Sequence, residues 1–242
     1  MVYPELSKEN AYISNISVAE PSWRRETRRH PLNLSCDRVR WGPCEPCQGI
    51  EMKLVLASTS PFRRALLERL QMAFVTDSPE VDETPVAGES IEQMVIRLAE
   101  AKARAVAERH PDALIIGSDQ SAELNGEVLS KPGAYERAFQ QLKNASGQKI
   151  VFHTSLCLLN SSSGHLQSCC VPYTVVFKTL SDEQIRHYLE REQPYNCAGS
   201  FKSEALGIAL FERFEGEDPN ALIGLPLIKL VDMLNRAGMP PL

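Results

Sequence analysis

The sequence predicts an α/β fold with a mixed sheet and flanking helices, and three observations predict it. Short apolar runs of strand length alternate with stretches of helical periodicity. Capping and turn residues punctuate their junctions. Two longer strand-like runs flank a serine-rich turn, which adds an antiparallel section to an otherwise strand–helix–strand order.

The elements follow from Met52 onward. Lys53–Ala57 (KLVLA) is a buried-type strand that runs into Ser58-Thr59-Ser60-Pro61. Ser60 is a helix cap and Pro61 a first helical residue, with Ala65, Leu66, Leu67 and Leu70 as the apolar face of a helix ending near Met72. Phe74–Thr76 reads as a second strand, followed by Glu80-Val81-Asp82-Glu83. From Ser90 to His110, Ile91, Met94, Val95, Leu98, Ala101 and Ala105 share one helical face. Ala113–Gly117 is a strand leading into Ser118-Asp119-Gln120. Asn125-Gly126 signals a hairpin, and Ala134–Leu142 a helix. Ile150–Leu159 and Gln167–Thr179 are strands around Ser161–Gly164. Ser181 caps the helix Asp182–Glu192, and a last helix runs from Pro226 to about Arg236.

The first 51 residues have no such order. They hold both tryptophans, and their charges cancel, so the body carries the whole net charge of −5. They contain neither a signal-peptide core nor the composition of a transit peptide. His30, Cys36, Cys44 and Cys47 resemble zinc ligands through the CxxC spacing of Cys44 and Cys47, but no second pair matches it. The expectation is a disordered extension, or a start of translation at Met52, with residues 52–242 as the working domain. The acidic balance argues against nucleic acid as a partner. No apolar run has the length of a membrane span. Seven scattered cysteines fit reduced thiols and a cytoplasmic location.

Four clusters can carry chemistry. Ser58, Ser60, Arg63 and Arg64 gather hydroxyls and guanidiniums at a helix N-terminus, where free N–H groups favour phosphate; a capped helix with its arginines in solvent fits the same residues. Asp119 ends an apolar run at a strand's C-terminal edge, as a metal ligand, a proton acceptor or a turn residue. Glu80, Asp82 and Glu83 are metal-ligand candidates or an acidic surface loop. Lys102, on a helix among alanines, reads by default as solvated, and Lys131 before Pro132 stands where it can reach an anion. The GxxxxGK[ST], strand-linked GxGxxG, HExxH and GxSxG motifs are missing, and the five histidines form no spaced pair. The remaining chemistry is metal-assisted phosphoryl or nucleotidyl transfer without a covalent protein intermediate.

From Met52 to Leu242 the chain resembles the Maf family of nucleoside triphosphate pyrophosphatases. The likeness rests on Leu54–Arg64 (LVLASTSPFRR), Glu80–Glu83 (EVDE), Leu98–Ala103 (LAEAKA), Ile116–Gln120 (IGSDQ), Ser130–Pro132, Cys197–Glu204 (CAGSFKSE) and Ile223–Pro226 (IGLP). It is most similar to the 7-methyl-GTP pyrophosphatase branch. Ser130 and Ala205 stand where the family usually has glycine. The resemblance implies a Maf/ITPase-like fold with two lobes around a nucleotide groove, and hydrolysis of 7-methyl-GTP to 7-methyl-GMP and pyrophosphate with a divalent cation, Mg²⁺ or Mn²⁺. It makes Asp119 the proton acceptor and assigns phosphate to Ser58, Ser60, Arg63, Arg64, Lys102 and Lys131. It associates Asp82 and Asp119 with the metal, and base selectivity with Phe62, Gln120 and Glu204. A homodimer is left open. The alternatives are the same reaction on UTP, dTTP or CTP, and a cell-division regulator that binds a nucleotide as a signal.

Overall fold

The computed structural model describes residues 52–242. The tail expectations, including a zinc site at His30, Cys36, Cys44 and Cys47, lie outside the described residues. Seven strands form one mixed sheet: β1 (Lys53–Ala57), β2 (Val75–Asp77), β3 (Ala113–Leu124), β4 (Glu127–Leu129), β5 (Lys149–Asn160), β6 (Leu166–Phe177) and β7 (Phe211–Glu215). Six α-helices accompany them: α1 (Pro61–Glu68), α2 (Ile91–Ala107), α3 (Tyr135–Ala145), α4 (Asp182–Glu192), α5 (Pro219–Ile223) and α6 (Leu227–Arg236). The order across the sheet is β2-β1-β3-β5-β6-β7, with β4 on the far end of β3. β1 runs parallel to β2 and β3, and the other pairings are antiparallel.

Local chemistry sets the element ends. The Ser60 hydroxyl accepts from the Arg63 N–H at the start of α1, with Pro61 in the first helical position. Ser90 with Gln93 and Ser181 with Gln184 form reciprocal capping boxes on α2 and α4. Asn125 and Gly126 both take positive φ, the conformation a two-residue hairpin between β3 and β4 demands. α1 stops at Glu68, short of the expected Met72. A chain of tight turns there ends with Gln71 at φ 55°, and Leu70 and Met72 pack against the core from outside the helix.

Period-two alternation gives the sheet two apolar faces. Leu54, Leu56, Leu114 and Ile116 meet Leu66 and Leu67 of α1 and Leu230 and Leu234 of α6. On the other face Val55, Ala57 and Ile115 meet Ala99, Ala103 and Val106 of α2. A third core lies toward the opposite end of the long strands, where Ile150, Phe152 and Val175 pack with α3, α4 and the Phe177–Phe201–Phe211 cluster. β3, β5 and β6, twelve residues each, run through both ends.

One feature of the sheet creates the site. β1 leaves β3 after the pair Leu56–Ile116, and β4 joins the same edge only at Ala122–Leu129. From Gly117 to Ser121, β3 is paired on its other edge alone, with β5. Asp119 therefore sits in the middle of a strand rather than at its end, just beyond the C-terminus of β1. The expected strand Ala113–Gly117 is a twelve-residue one, because pairing to β5 continues to Glu123 through polar residues. Elements without a sequence signal were β7, whose FERFE segment leaves one residue buried, and the five-residue α5.

Gly117 lies under α2. A Cβ built there falls 2.1 Å from the Ala99 carbonyl oxygen and 3.1 Å from the Ala103 Cβ. The first distance is no contact that a side chain can make, so glycine is what lets helix and strand approach this closely. Gly117→Ala is expected to lower stability by about 1–3 kcal/mol through overpacking, read as a shift in the urea midpoint at unchanged m-value; an unshifted midpoint would mean that α2 retreats without cost.

Candidate active site

A cleft of about 840 Å³ opens over the unpaired edge of β3, bounded by the β1–α1 turn, the acidic loop after β2, the Ser130–Lys131 segment and the segment around Cys197–Glu204. Its size suits a nucleotide. Asp119 forms its floor, on the same strand face as Gly117 and therefore facing α2. Lys102 comes from the second half of α2 and is only 7% exposed. Its ammonium lies 2.6 Å from an oxygen of Asp119 and 2.6 Å from an oxygen of Glu83. The reading of Lys102 as a solvated residue is thus corrected: the small alanines around it let α2 settle onto the sheet and carry the lysine inward.

Buried ammonium groups need compensation, and two carboxylates supply it. In return, the Lys102 ammonium holds the Glu83 carboxyl below the usual carboxylate range, with Lys131 and Arg63 adding to the effect. The loop bearing Glu83 is fastened to α2 by Arg97, which forks onto Glu89 and reaches the Thr84 carbonyl. Ser155, fully buried on β5, bonds the Val95 carbonyl of α2 and accepts from the Asp119 N–H, so strand and helix are tied at the level of the carboxylate.

The β1–α1 turn brings the hydroxyls and one guanidinium. Ser58 accepts from the Ser60 N–H (3.1 Å), and both serines line the cleft. Arg63 also lines it, and its Nε donates to the Gly224 carbonyl at 2.8 Å. Burial lowers the basicity of this guanidinium, while Asp119 and Glu83 nearby raise it. Arg64 points elsewhere: its Nε donates to Glu68 on the exposed side of the helix, outside the cleft lining. Successive helical residues diverge by about 100°, so only one of the two arginines faces the cleft.

The other sequence-derived positions divide similarly. Lys131, Phe62, Gln120 and Glu204 line the cleft. Phe62 is 42% exposed, so it does not belong to the helix's core face. The Gln120 amide nitrogen donates to Thr154 Oγ1 and to the carbonyls of Ala221 and Leu222, which leaves its carbonyl oxygen as the free group. Ala205, where the resemblance expects glycine, has an ordinary φ of −127°. Asp82 is outside the lining: its carboxylate accepts from the Thr84 N–H and hydroxyl, closing an exposed turn. The acidic residue brought to Asp119 is its neighbour Glu83. Sequence reasoning assigned no role to Glu83 by itself, to Ser155 or to the Gly224 carbonyl.

Cys197 lines the cleft as well, but burial pushes its thiol up, as it pushes Cys157 up to about 12. Neither is set up as a thiolate nucleophile. Among the described residues, no group of three or more His, Cys, Asp or Glu side chains is arranged around a common ion. The cleft instead combines three carboxylates, Glu83, Asp119 and Glu204, with three cations, Arg63, Lys102 and Lys131, an arrangement that can hold anionic phosphates beside a proton acceptor.

Residues 53–237 match the family model described as Maf-like protein. Among solved structures, the chain is similar to the Ham1 protein of Staphylococcus aureus, at 15% identity over 52% of this chain and 72% of that one, with a TM-score of 0.39. It is also similar to protein VC0702 from Vibrio cholerae, at 13% identity over 78% of this chain and 99% of that one, with a TM-score of 0.40.

Glu83 reports on the central ion pair. Lys102→Met keeps most of the side-chain volume and removes the charge, so the Glu83 titration midpoint should move up toward that of an ordinary glutamate. The sign follows from its depressed value: the carboxylate's contribution to stability is present above the unfolded value and is lost as pH falls through the folded one. Carboxyl-carbon NMR titration of both proteins checks this, and an unmoved midpoint would assign the effect to Lys131 and Arg63 instead.

Proposed function

We propose that this chain, which belongs to the Maf-like protein family and is a nucleotide pyrophosphatase of the hydrolase class, cleaves 7-methyl-GTP between its α- and β-phosphates. The products are 7-methyl-GMP and pyrophosphate, and residues 52–242 are the working domain. The observation that carries the reading is the convergence of Arg63, Lys102 and Lys131 with Asp119 and Glu83 in one cleft, at the N-terminal end of α1.

In this mechanism the triphosphate lies along the β1–α1 turn. The hydroxyls of Ser58 and Ser60 and the first N–H groups of α1 meet its oxygens. Arg63, held at Nε, keeps its two terminal nitrogens for a bidentate grip on phosphate. Lys131 adds charge from the opposite wall. Asp119 accepts a proton from the water whose oxygen attacks the α-phosphorus. The bond between the α-phosphorus and the bridging oxygen breaks, and that oxygen leaves with pyrophosphate, whose charge Arg63 and Lys131 offset. Lys102 orients the Asp119 carboxylate before the substrate arrives.

Enzymes of the Maf family are generally metal-dependent, and the residues here fit a hard divalent cation. Asp119 and Glu83 bind the Lys102 ammonium through one oxygen each, Oδ1 and Oε1, which leaves Oδ2 and Oε2 to ligate a cation. Mg²⁺ and Mn²⁺ take one or two carboxylates together with substrate phosphates. Glu83 therefore replaces Asp82 as the partner of Asp119 in this reading. When bound, such an ion supplies Lewis-acid polarisation of the phosphoryl oxygens and acidifies a coordinated water.

Base choice is assigned to Phe62, Gln120 and Glu204, which line the same cleft. N7-methylation gives guanine a delocalised positive charge, which an exposed aromatic face attracts by about 0.5–2 kcal/mol. Phe62 offers such a face. The Glu204 carboxylate and the free carbonyl oxygen of Gln120 accept hydrogen bonds from the donor edge of a guanine.

Two measurements test this. Asp119→Asn should lower kcat by roughly 10²–10⁴ while the protein stays folded, and near-normal turnover of that variant would remove Asp119 from the chemistry. A nucleotide panel, with pyrophosphate release as readout, should give the highest kcat/KM on 7-methyl-GTP, and Glu204→Gln should narrow the gap to GTP. Faster hydrolysis of UTP, dTTP or CTP would overturn the base assignment and leave the reaction class standing.

A further inference from the structure

The face of β3 opposite α2 carries Ser118 and Gln120, and the Ser118 hydroxyl and the Gln120 amide nitrogen donate to carbonyls of α5 and of Gly224, the residue that follows it. Gln120, with Thr154 beside it, holds the carbonyls of Ala221 and Leu222. Ser118, 1% exposed, donates its hydroxyl hydrogen to the Gly224 carbonyl oxygen at 3.0 Å. That same oxygen accepts from Arg63 Nε at 2.8 Å, the one hydrogen bond this guanidinium makes among the described residues. Gly224 has φ +123°, a backbone conformation that side chains resist, and its own N–H turns back to Asn220 and Ala221. The carbonyl direction is thus fixed by the turn and by two donors, which occupy both of its lone pairs.

We infer that Ser118 is a positioning residue for Arg63: by fixing the Gly224 carbonyl it aims the guanidinium so that both terminal nitrogens face the cleft. Arginine has a long, rotamer-rich side chain, and ordering it before the substrate arrives removes that cost from the binding and bond-breaking steps. A carbonyl accepting at Nε leaves the planar fork open on the opposite side, the geometry that phosphate oxygens require. Ser118 is buried and outside the cleft lining, so it acts through Arg63 alone.

The inference rests on the phosphate-handling role proposed above for Arg63, and a double-mutant cycle separates the two. Ser118→Ala should lower kcat/KM for the best triphosphate roughly ten-fold, as expected for a misaimed positioning group. It should weaken the dissociation constant for inorganic pyrophosphate, measured calorimetrically, in the same sense. In an Arg63→Ala background the same substitution should change either quantity less than about two-fold, because the two residues act as one unit. Any shift in Tm should be at least as large in the Arg63→Ala background, where the Gly224 carbonyl loses its second donor too, so a loss of function confined to the wild-type background is not a loss of fold. Equal losses with and without Arg63, or no loss at all, would overturn the inference and leave Ser118 as a structural residue. Turnover that survives Arg63→Ala intact would instead overturn the role of Arg63. Ser118→Cys, which conserves volume but donates weakly, carries the same cycle if the alanine variant does not fold.

Discussion

The close approach of α2 to β3 over Gly117 is the constraint on which the site depends. A helix backbone this near a strand brings any side chain one turn further along to the level of the strand's next inward residue, and here that pair is Lys102 and Asp119. An ammonium so enclosed needs partners, and Asp119 and Glu83 supply them. The second partner, Glu83, comes from a loop that Arg97 also fastens to α2, so the ion pair and that fork together set where the loop lies. Backbone sterics, a buried charge and the shape of the cleft wall are therefore one arrangement seen at three scales.

β3 divides the remaining work by parity. Its Gly117 and Asp119 side meets α2 and carries the ion pair with Lys102, while Ser118 and Gln120 on the other side secure the α5 segment. In the four consecutive residues Gly117-Ser118-Asp119-Gln120, each thus has its own physical task. The two faces of one strand act on the same cleft because β1 departs before Gly117 and β4 arrives only at Ala122.

Much of this was legible in the sequence. The capping serines and the Asn-Gly turn carry local signals that tertiary packing did not override, and α2 forms as its period predicts, but with its buried face turned from Ala101 and Ala105 to Ala99, Lys102, Ala103 and Val106. Asp119, Lys131 and the β1–α1 serines all line the cleft, although Asp119, read as a strand end, lies in the middle of a longer strand. The misses have physical causes. Asp82 and Glu83 are adjacent carboxylates in a loop, where no period says which one turns inward. Arg63 and Arg64 could have been told apart, since Arg64 stands four residues before Glu68 on the solvent side and Arg63 precedes the buried Leu66 and Leu67 by one turn. β7 and α5 escaped because a bulged strand with alternating charge and a five-residue helix are too irregular and too short for periodicity to register.

The three twelve-residue strands have a mechanical consequence. β3, β5 and β6 pass unbroken beneath the cleft, joined by ladders ten or more residues long. Bending such a slab about an axis across the strands would strain many inter-strand bonds together, so the floor bearing Asp119 behaves as a stiff plate. Compliance is concentrated in the walls: the acidic loop, the Ser130–Lys131 segment and the turn around Cys197. Entry of a nucleotide and escape of pyrophosphate are then tasks for the rim, and the timing of turnover is separable from the alignment of the carboxylate beneath it.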